Sequence, residues 1–223
     1  MSNARQDQNT KIDLDQALAI ARQAAEKASA IALSYFRRPL EIETKEDASP
    51  VTRADRECET AIREIVSGTF PAHAIYGEEY GRSGDHACLW LIDPIDGTRS
   101  FIRGLEFWSV QIGLMVDGEL VLGVSAAPAF DETAWAVAGG GAWLNGARIS
   151  VAEPASINDM DLSLGNVRTL ARSEGWSRIG KLVELAARTR GYGDFYPYHR
   201  LAAGGLDAVI ESDVNILDIA ALT

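Results

Sequence analysis

The run Trp90-Leu91-Ile92-Asp93-Pro94-Ile95-Asp96-Gly97-Thr98-Arg99-Ser100-Phe101 brings two carboxylates to the end of an apolar stretch. Cys88 to Ile92 is rich in strand-forming residues, and two aspartates follow with a proline between them. Such a strand is expected to sit in a core only as far as Ile92, because adjacent ionised carboxylates in low dielectric need a compensating cation. Pro94 restricts φ and is expected to turn the chain, letting Asp93, Asp96 and the Ile95 carbonyl converge on one point. Oxygen ligands of this kind suit a hard divalent ion such as Mg²⁺. Gly97-Thr98 then opens a short helix whose first N–H groups are suited to a phosphate at the same point. Taken alone, Asp-Pro-x-Asp-Gly is more often only a surface turn.

The pattern of apolar strand, turn and carboxylates occurs a second time. Ala74-Ile75-Tyr76 reads as a short strand running into Gly77-Glu78-Glu79-Tyr80-Gly81, and two neighbouring strands ending in acids would build one site. Solvated surface charge is the alternative for the two glutamates. Asp55 stands at the start of a helix predicted from Ala54 to Val66, with Cys58, Ile62, Ile65 and Val66 on one face and Gly68 as terminator. In that place its ordinary role is to stabilise the helix dipole, by about 0.3–1 kcal/mol.

The elements that must position these groups follow from periodicity. Asp13 to Arg38 reads as a long helix, with a capping-box pattern at Asp13 and Gln16 and many alanines suited to close helix packing. Leu40 to Lys45 alternates like a strand. Trp108–Val116, Leu120–Ala127 and Thr133–Val137 read as an antiparallel meander, with a hairpin at Asp117-Gly118 and a turn over Pro128–Glu132. Gly139-Gly140-Gly141 lacks the Lys-Ser/Thr of a phosphate loop and reads as a turn, with another at Asn145-Gly146. The polar stretch Glu153–Asp159 marks a boundary between residues 11–152, an α+β half carrying most candidate ligands, and residues 153–223, an α/β half; residues 1–10 form a disordered tail. In the second half, strands are expected at Leu162–Gly165, Arg190–Gly193 and Ala208–Glu211, and helices at Ile179–Arg188 and Tyr196–Ala203.

With 223 residues, 47% of them hydrophobic, the chain can fill a substantial core. Its 32 acidic against 21 basic residues leave a formal charge of −11, which opposes binding to nucleic acid or an anionic membrane, so an anionic substrate must be drawn in by local charge. No apolar run approaches the length of a membrane span and the polar start has no signal-peptide core, so a cytoplasmic location is expected. Cys58 and Cys88 are expected to be reduced core residues, and His73, His86 and His199 have no zinc-site spacing.

Together, Asp93-Pro94-Ile95-Asp96-Gly97-Thr98, Val51-Thr52-Arg53-Ala54-Asp55 and Gly77-Glu78-Glu79 resemble the motifs of the inositol monophosphatase-like phosphatases, which are Mg²⁺-dependent and lithium-sensitive. The resemblance runs from about Leu14 to Leu222. It implies a layered αβαβα sugar-phosphatase fold, with an antiparallel N-terminal sheet followed by a smaller α/β half, here truncated, and a homodimer. It also implies two or three Mg²⁺ per site: one held by Glu78, Asp93 and the Ile95 carbonyl, another by Asp93, Asp96 and Asp218. Thr98, backed by Asp55, would position the attacking water. Glu79 would support the catalytic site, Gly97 and Thr98 would meet the phosphate, and Lys45 would offset charge or remain a solvated strand-end lysine. The family's Trp-Asp-x-Ala motif corresponds to Leu217-Asp218-Ile219-Ala220, with leucine for tryptophan. Only about five residues follow Asp218, and a helical stub so short is expected to leave the second metal site weakened.

Within that family, Gly77–Gly81, the run from Gly97 to Ile102 with Gly104 and Trp108, and Arg190-Gly191-Tyr192-Gly193-Asp194 resemble histidinol-phosphate phosphatases. Histidinol phosphate carries an ammonium and an imidazole, which acidic groups such as Asp194 and Glu211 would receive. Turn formation is the plain alternative for Asp194 and a strand-end charge for Glu211. Phe195 to Arg200 departs from that pattern. The runner-up substrates are inositol 1-phosphate or a related sugar phosphate. A catalytically impaired member acting as a binding or oligomerising module is the reading from a different class.

Overall fold

The computed structural model describes residues 12–44 and 50–223; Lys45 and the tail 1–10 lie outside the described residues. Helix α1, Leu14–Tyr35, is capped by Asp13, whose carboxylate accepts the N–H groups of Asp15 and Gln16. It ends three residues before the expected Arg38, because Arg37 takes a left-handed conformation, φ 59°. Ala17, Ala21, Ala24, Ala25, Ala28 and Ala32 are buried, and α1 lies closely on a second helix. Strands β1, Ile42–Thr44, and β2, Pro50–Thr52, form a small antiparallel pair leading into that helix, α2, Arg53–Thr69. Thr52 and Asp55 cap α2 reciprocally. Gly68 does not end α2; it sits in the last turn, and Phe70 is the cap.

The main sheet follows in β3 Ala74–Gly77, β4 Gly81–Ser83 and β5 Cys88–Asp96; then, after helix α3 Thr98–Ile102, in β6 Ser109–Val116, β7 Glu119–Ala127, β8 Glu132–Val137, β9 Gly141–Leu144 and β10 Ala147–Ile149. Its eight strands run in the order β10-β9-β8-β7-β6-β5-β3-β4, antiparallel throughout except for β3 beside β5. Asp117 and Gly118 both have positive φ, the two-residue hairpin their sequence predicts, and so do Asn145 and Gly146 between β9 and β10.

A three-stranded parallel sheet, order β12-β11-β13, comes from β11 Asp161–Leu164, helices α4 Val167–Leu170 and α5 Trp176–Leu185, β12 Arg188–Arg190, α6 Tyr196–Ala202, β13 Ala208–Ile210 and α7 Ile216–Ile219. The helix expected to reach Arg188 stops at Leu185, and the strand expected at Arg190–Gly193 starts at Arg188. There Arg188 pairs in register with Asp161 and forms an ion pair with it.

Helices α1 and α2 cover one face of the main sheet and α7 covers part of the other. Along β5, Trp90 and Ile92 enter the core under α1 and α2, while Leu89 and Leu91 face Leu217 and Ala220 of the α7 segment. Strand alternation therefore delivers the next odd residue, Asp93, to the face that α7 occupies. Among the described residues no helix is long and apolar enough to cross a membrane.

Candidate metal centre

Burial of β5 does not stop at Ile92 but continues through Asp93, Pro94, Ile95 and Asp96. Pro94 does not turn the chain away either. The strand stays paired with β6 across a bulge between Asp93 and Asp96, stabilised by the Ile95 N–H donating to Asp93 Oδ1 at 3.0 Å. The extra residues aim both carboxylates at one place. Asp96 Oδ2 lies 3.4 Å from Ser109 Oγ and 3.5 Å from Gln111 Nε2, two buried polar groups of β6 that the sequence reading passed over. Gly97 has φ 87°, and a Cβ there would come within 2.6 Å of the Phe107 carbonyl, so this left-handed link into α3 requires glycine.

Asp218 reaches the same place from α7. Asn215 caps this one-turn helix, its N–H donating to Asp218 Oδ2 at 2.7 Å and its Nδ2 to Oδ1 at 2.9 Å. The turn is too short to stand by propensity, but Leu217 is buried against Leu91, so tertiary packing supports what local nucleation cannot. Leucine fills the position where the resemblance places tryptophan. Ligand oxygens of Asp93, Asp96 and Asp218 lie within 4.8 Å of one another.

Burial pushes the Asp93 carboxyl well above the usual range, and the charges of Glu78, Asp96 and Asp218 push it further. Asp96 is raised likewise by burial and by Asp194 and Asp218. Burial also raises Asp218, against the opposing hydrogen bonds from Asn215. Glu78, Asp93, Ile95, Asp96 and Asp218 share the wall of a cavity of about 160 Å³, and among the described residues no basic side chain lines it. A crowded, oxygen-only donor set with no cation of its own is chemically fitted to a divalent metal.

Asp55, on the first turn of α2, accepts the N–H and hydroxyl of Thr52 at 2.8 and 2.6 Å, and its other oxygen lies 3.3 Å from Thr98 Oγ1. Burial is the main cause raising its pKa. Thr98 Oγ1 also lies 3.1 Å from the Ile95 carbonyl, so its single proton serves one acceptor at a time. Glu79 is half-buried at the turn after β3, and it does not line the cavity that holds Glu78. Asp194 has φ 55°, so it does make the turn allowed for it, yet it also lines the cavity. Its pKa rises to about 6, chiefly through burial. Glu211 stands beside it on the cavity wall, accepting the Tyr198 hydroxyl at 3.0 Å. Tyr198, in the stretch that departs from the expected pattern, is a site residue that sequence reasoning missed.

The fold gathers a second group, His73, His86 and Cys88, whose sequence spacing gave no sign of it. Its two imidazoles stack at 5.2 Å and 18°, and one ligand atom from each of the three residues lies within 4.8 Å of the others. Each Nδ1 is also engaged, His73 accepting the Trp90 indole N–H at 3.1 Å and His86 the Cys88 N–H at 3.0 Å. This group is a ring stack at the opposite end of β5, away from the carboxylate cavity.

Comparison with known proteins agrees with this architecture. The model of the inositol monophosphatase family matches residues 13–223. A histidinol-phosphatase from Mycobacterium tuberculosis is 37% identical over 216 residues, covering 94% of this chain and 82% of that protein. Among solved structures, an inositol monophosphatase from Zymomonas mobilis superposes with a TM-score of 0.83 at 33% identity, covering 95% of this chain and 82% of the other. The extragenic suppressor protein suhB from Bartonella henselae reaches 0.86 at 27% identity, over 93% and 82%. By a family match that takes in every described residue from Asp13 onward, joined to a shared fold, this chain belongs to the inositol monophosphatase family and is a phosphoric monoester hydrolase.

Proposed function

We propose that the chain is a Mg²⁺-dependent phosphatase of histidinol phosphate, releasing histidinol and phosphate. The observation that carries this reading is the cavity wall, which Asp194 and Glu211 line together with Asp93, Asp96 and Asp218 and which, among the described residues, includes no basic side chain. Metal explains the second set of carboxylates; a cationic substrate group explains the first. The name of the Mycobacterium tuberculosis relative points the same way.

In this reading Glu78, Asp93, the Ile95 carbonyl, Asp96 and Asp218 hold the metal. Bound Mg²⁺ supplies positive charge for the phosphate oxygens, the attacking water and the leaving alkoxide. Thr98 orients the water in line with the ester bond. Asp55, which burial makes a stronger base than an exposed aspartate, takes up the water's proton through the Thr98 hydroxyl. The water oxygen bonds to phosphorus, the phosphorus–oxygen ester bond breaks, and the leaving alkoxide receives the proton that Asp55 had accepted, which restores the Asp55 carboxylate. Asp194 and Glu211 fix the ammonium and imidazole so that the phosphate end meets the carboxylate cluster.

The test is phosphate release from histidinol phosphate and from inositol 1-phosphate across a Mg²⁺ titration, with Asp93→Asn as blank. Turnover of histidinol phosphate alone, abolished in the blank, is expected. Equal turnover of both overturns the assigned specificity, since a polyol needs only hydroxyl acceptors. A folded, Mg²⁺-stabilised protein that turns over neither overturns the reading and leaves an impaired family member.

A further inference from the structure

We propose that Glu59 is the positioning residue for Glu78, fixing this ligand through the backbone of its turn; the inference rests on the reading that Glu78 holds a divalent ion. Glu59 lies on α2 one turn after Asp55 and is fully buried, at 0% exposure. Its carboxylate does not line the metal cavity. Instead, Oε2 accepts the Glu79 N–H at 2.6 Å, and Oε1 accepts the Tyr80 N–H at 3.3 Å. Arg63, four residues on, donates Nε–H to the same carboxylate at 2.7 Å and extends Nη2 to the Gly81 carbonyl at 2.5 Å. From the other side, the Glu78 N–H donates at 3.2 Å to the carbonyl of Ile92, the residue before Asp93. The backbone on either side of the Glu78 side chain is thus held, by β5 at Glu78 and by α2 at Glu79.

Gly77 completes the arrangement. A Cβ at this position would collide with the Glu59 carboxylate, far inside van der Waals contact, although the Gly77 backbone needs no positive φ. Glycine is required here so that the carboxylate can reach the turn. An uncompensated carboxylate at this depth would be costly, and Arg63 with two backbone N–H groups offsets that cost. Residues four apart share a helix face, so one buried face of α2 presents Asp55 to Thr98 and Glu59 to the Glu78 turn. The helix thereby sets the spacing between the proton acceptor and a metal ligand.

The experiment is calorimetric Mg²⁺ titration of the full chain, with Mg²⁺ activation of phosphate release alongside. Glu59→Gln keeps the volume but loses the charge, and it is expected to weaken the Mg²⁺ dissociation constant by about 10- to 100-fold, the usual effect of removing a partner behind a metal ligand. Most of kcat should return at saturating Mg²⁺. Gly77→Ala, with Glu59 intact, should produce the same shift, and the double variant should fall well short of the sum. Gly77→Ala carries the test if Glu59→Gln does not fold. A lowered melting temperature with unchanged Mg²⁺ affinity in the folded variants overturns the proposal, leaving Glu59 a purely structural buried ion pair. Unchanged Mg²⁺ affinity in Glu78→Gln is a different result, overturning the reading of Glu78 itself.

Discussion

Gly113 of β6 and Gly123 of β7 stand directly opposite each other in the ladder, and the backbone of Ala220-Ala221 lies on the bare patch they leave. The α7 turn that presents Asp218 is seated there. A Cβ at Gly123 would collide with the Ala221 carbonyl, which is backbone and cannot swing aside; at Gly113 it would meet the Ala220 methyl at 3.2 Å. Gly123→Ala is therefore expected to cost about 1–3 kcal/mol and to weaken Mg²⁺ binding by displacing Asp218, with Gly113→Ala distinctly milder. Urea unfolding and Mg²⁺ titration of both variants check the order; equal behaviour would refute the seat.

Relief of charge crowding gives a second expectation. Asp93 is buried among Glu78, Asp96 and Asp218, and their repulsion is a cost that a divalent ion removes. In chelator, Asp93→Asn should melt higher than the wild type, whereas in millimolar Mg²⁺ the order should reverse or close. Thermal melts of the two proteins in both buffers decide it, and a variant that is less stable in chelator contradicts the crowding argument.

The pH dependence has two opposing parts. The site carboxylates are raised in the folded state, Asp194 to about 6, so the metal-free fold holds more protons than the unfolded chain; their contribution is full at low pH and is lost as pH rises through the raised values. His199 acts in reverse. It is buried, with Nε2 lying 2.8 Å from Ser125 Oγ and Nδ1 facing Glu132 at 3.3 Å, and burial lowers its pKa from 6.5 to about 4. Its contribution is full above 6.5 and is lost as pH falls toward 4. The stabilisation by Mg²⁺ isolates the first part: the melting-temperature gap between Mg²⁺ and chelator should widen from pH 4 to 7. A gap independent of pH would show that the carboxylates do not titrate there.

Thr98 lies 3.3 Å from Asp55 and should act on turnover more than on binding. Thr98→Val is expected to lower kcat by about 10²-fold or more with KM changed only a few-fold, and Thr98→Ser to restore most of it. Steady-state kinetics at saturating Mg²⁺ separate the two. A rise in KM alone would make Thr98 a binding residue.

Much of this protein is determined locally. The capping groups of α1 and α2, the two-residue hairpins and the strand-then-carboxylate pattern of β3 and β5 are short-range chemistry, so Asp13, Asp55, Asp117-Gly118, Glu78, Asp93 and Asp96 are legible in the sequence. Tertiary structure decided the rest. Burial of Asp93 and Asp96 at the end of a continuous strand depends on a bulge and on Ser109 and Gln111 from the neighbouring strand. The one-turn helix around Asp218 exists because Leu217 meets Leu91 and because Gly113 and Gly123, remote in sequence from the segment they seat, face each other across a ladder. Tyr198 beside Glu211 and Glu59 beneath the Glu78 turn are likewise long-range partners. Residue type and spacing mark out the carboxylates, whereas their convergence is a property of packing, because each side chain's final position is set by groups it meets only when the chain has closed.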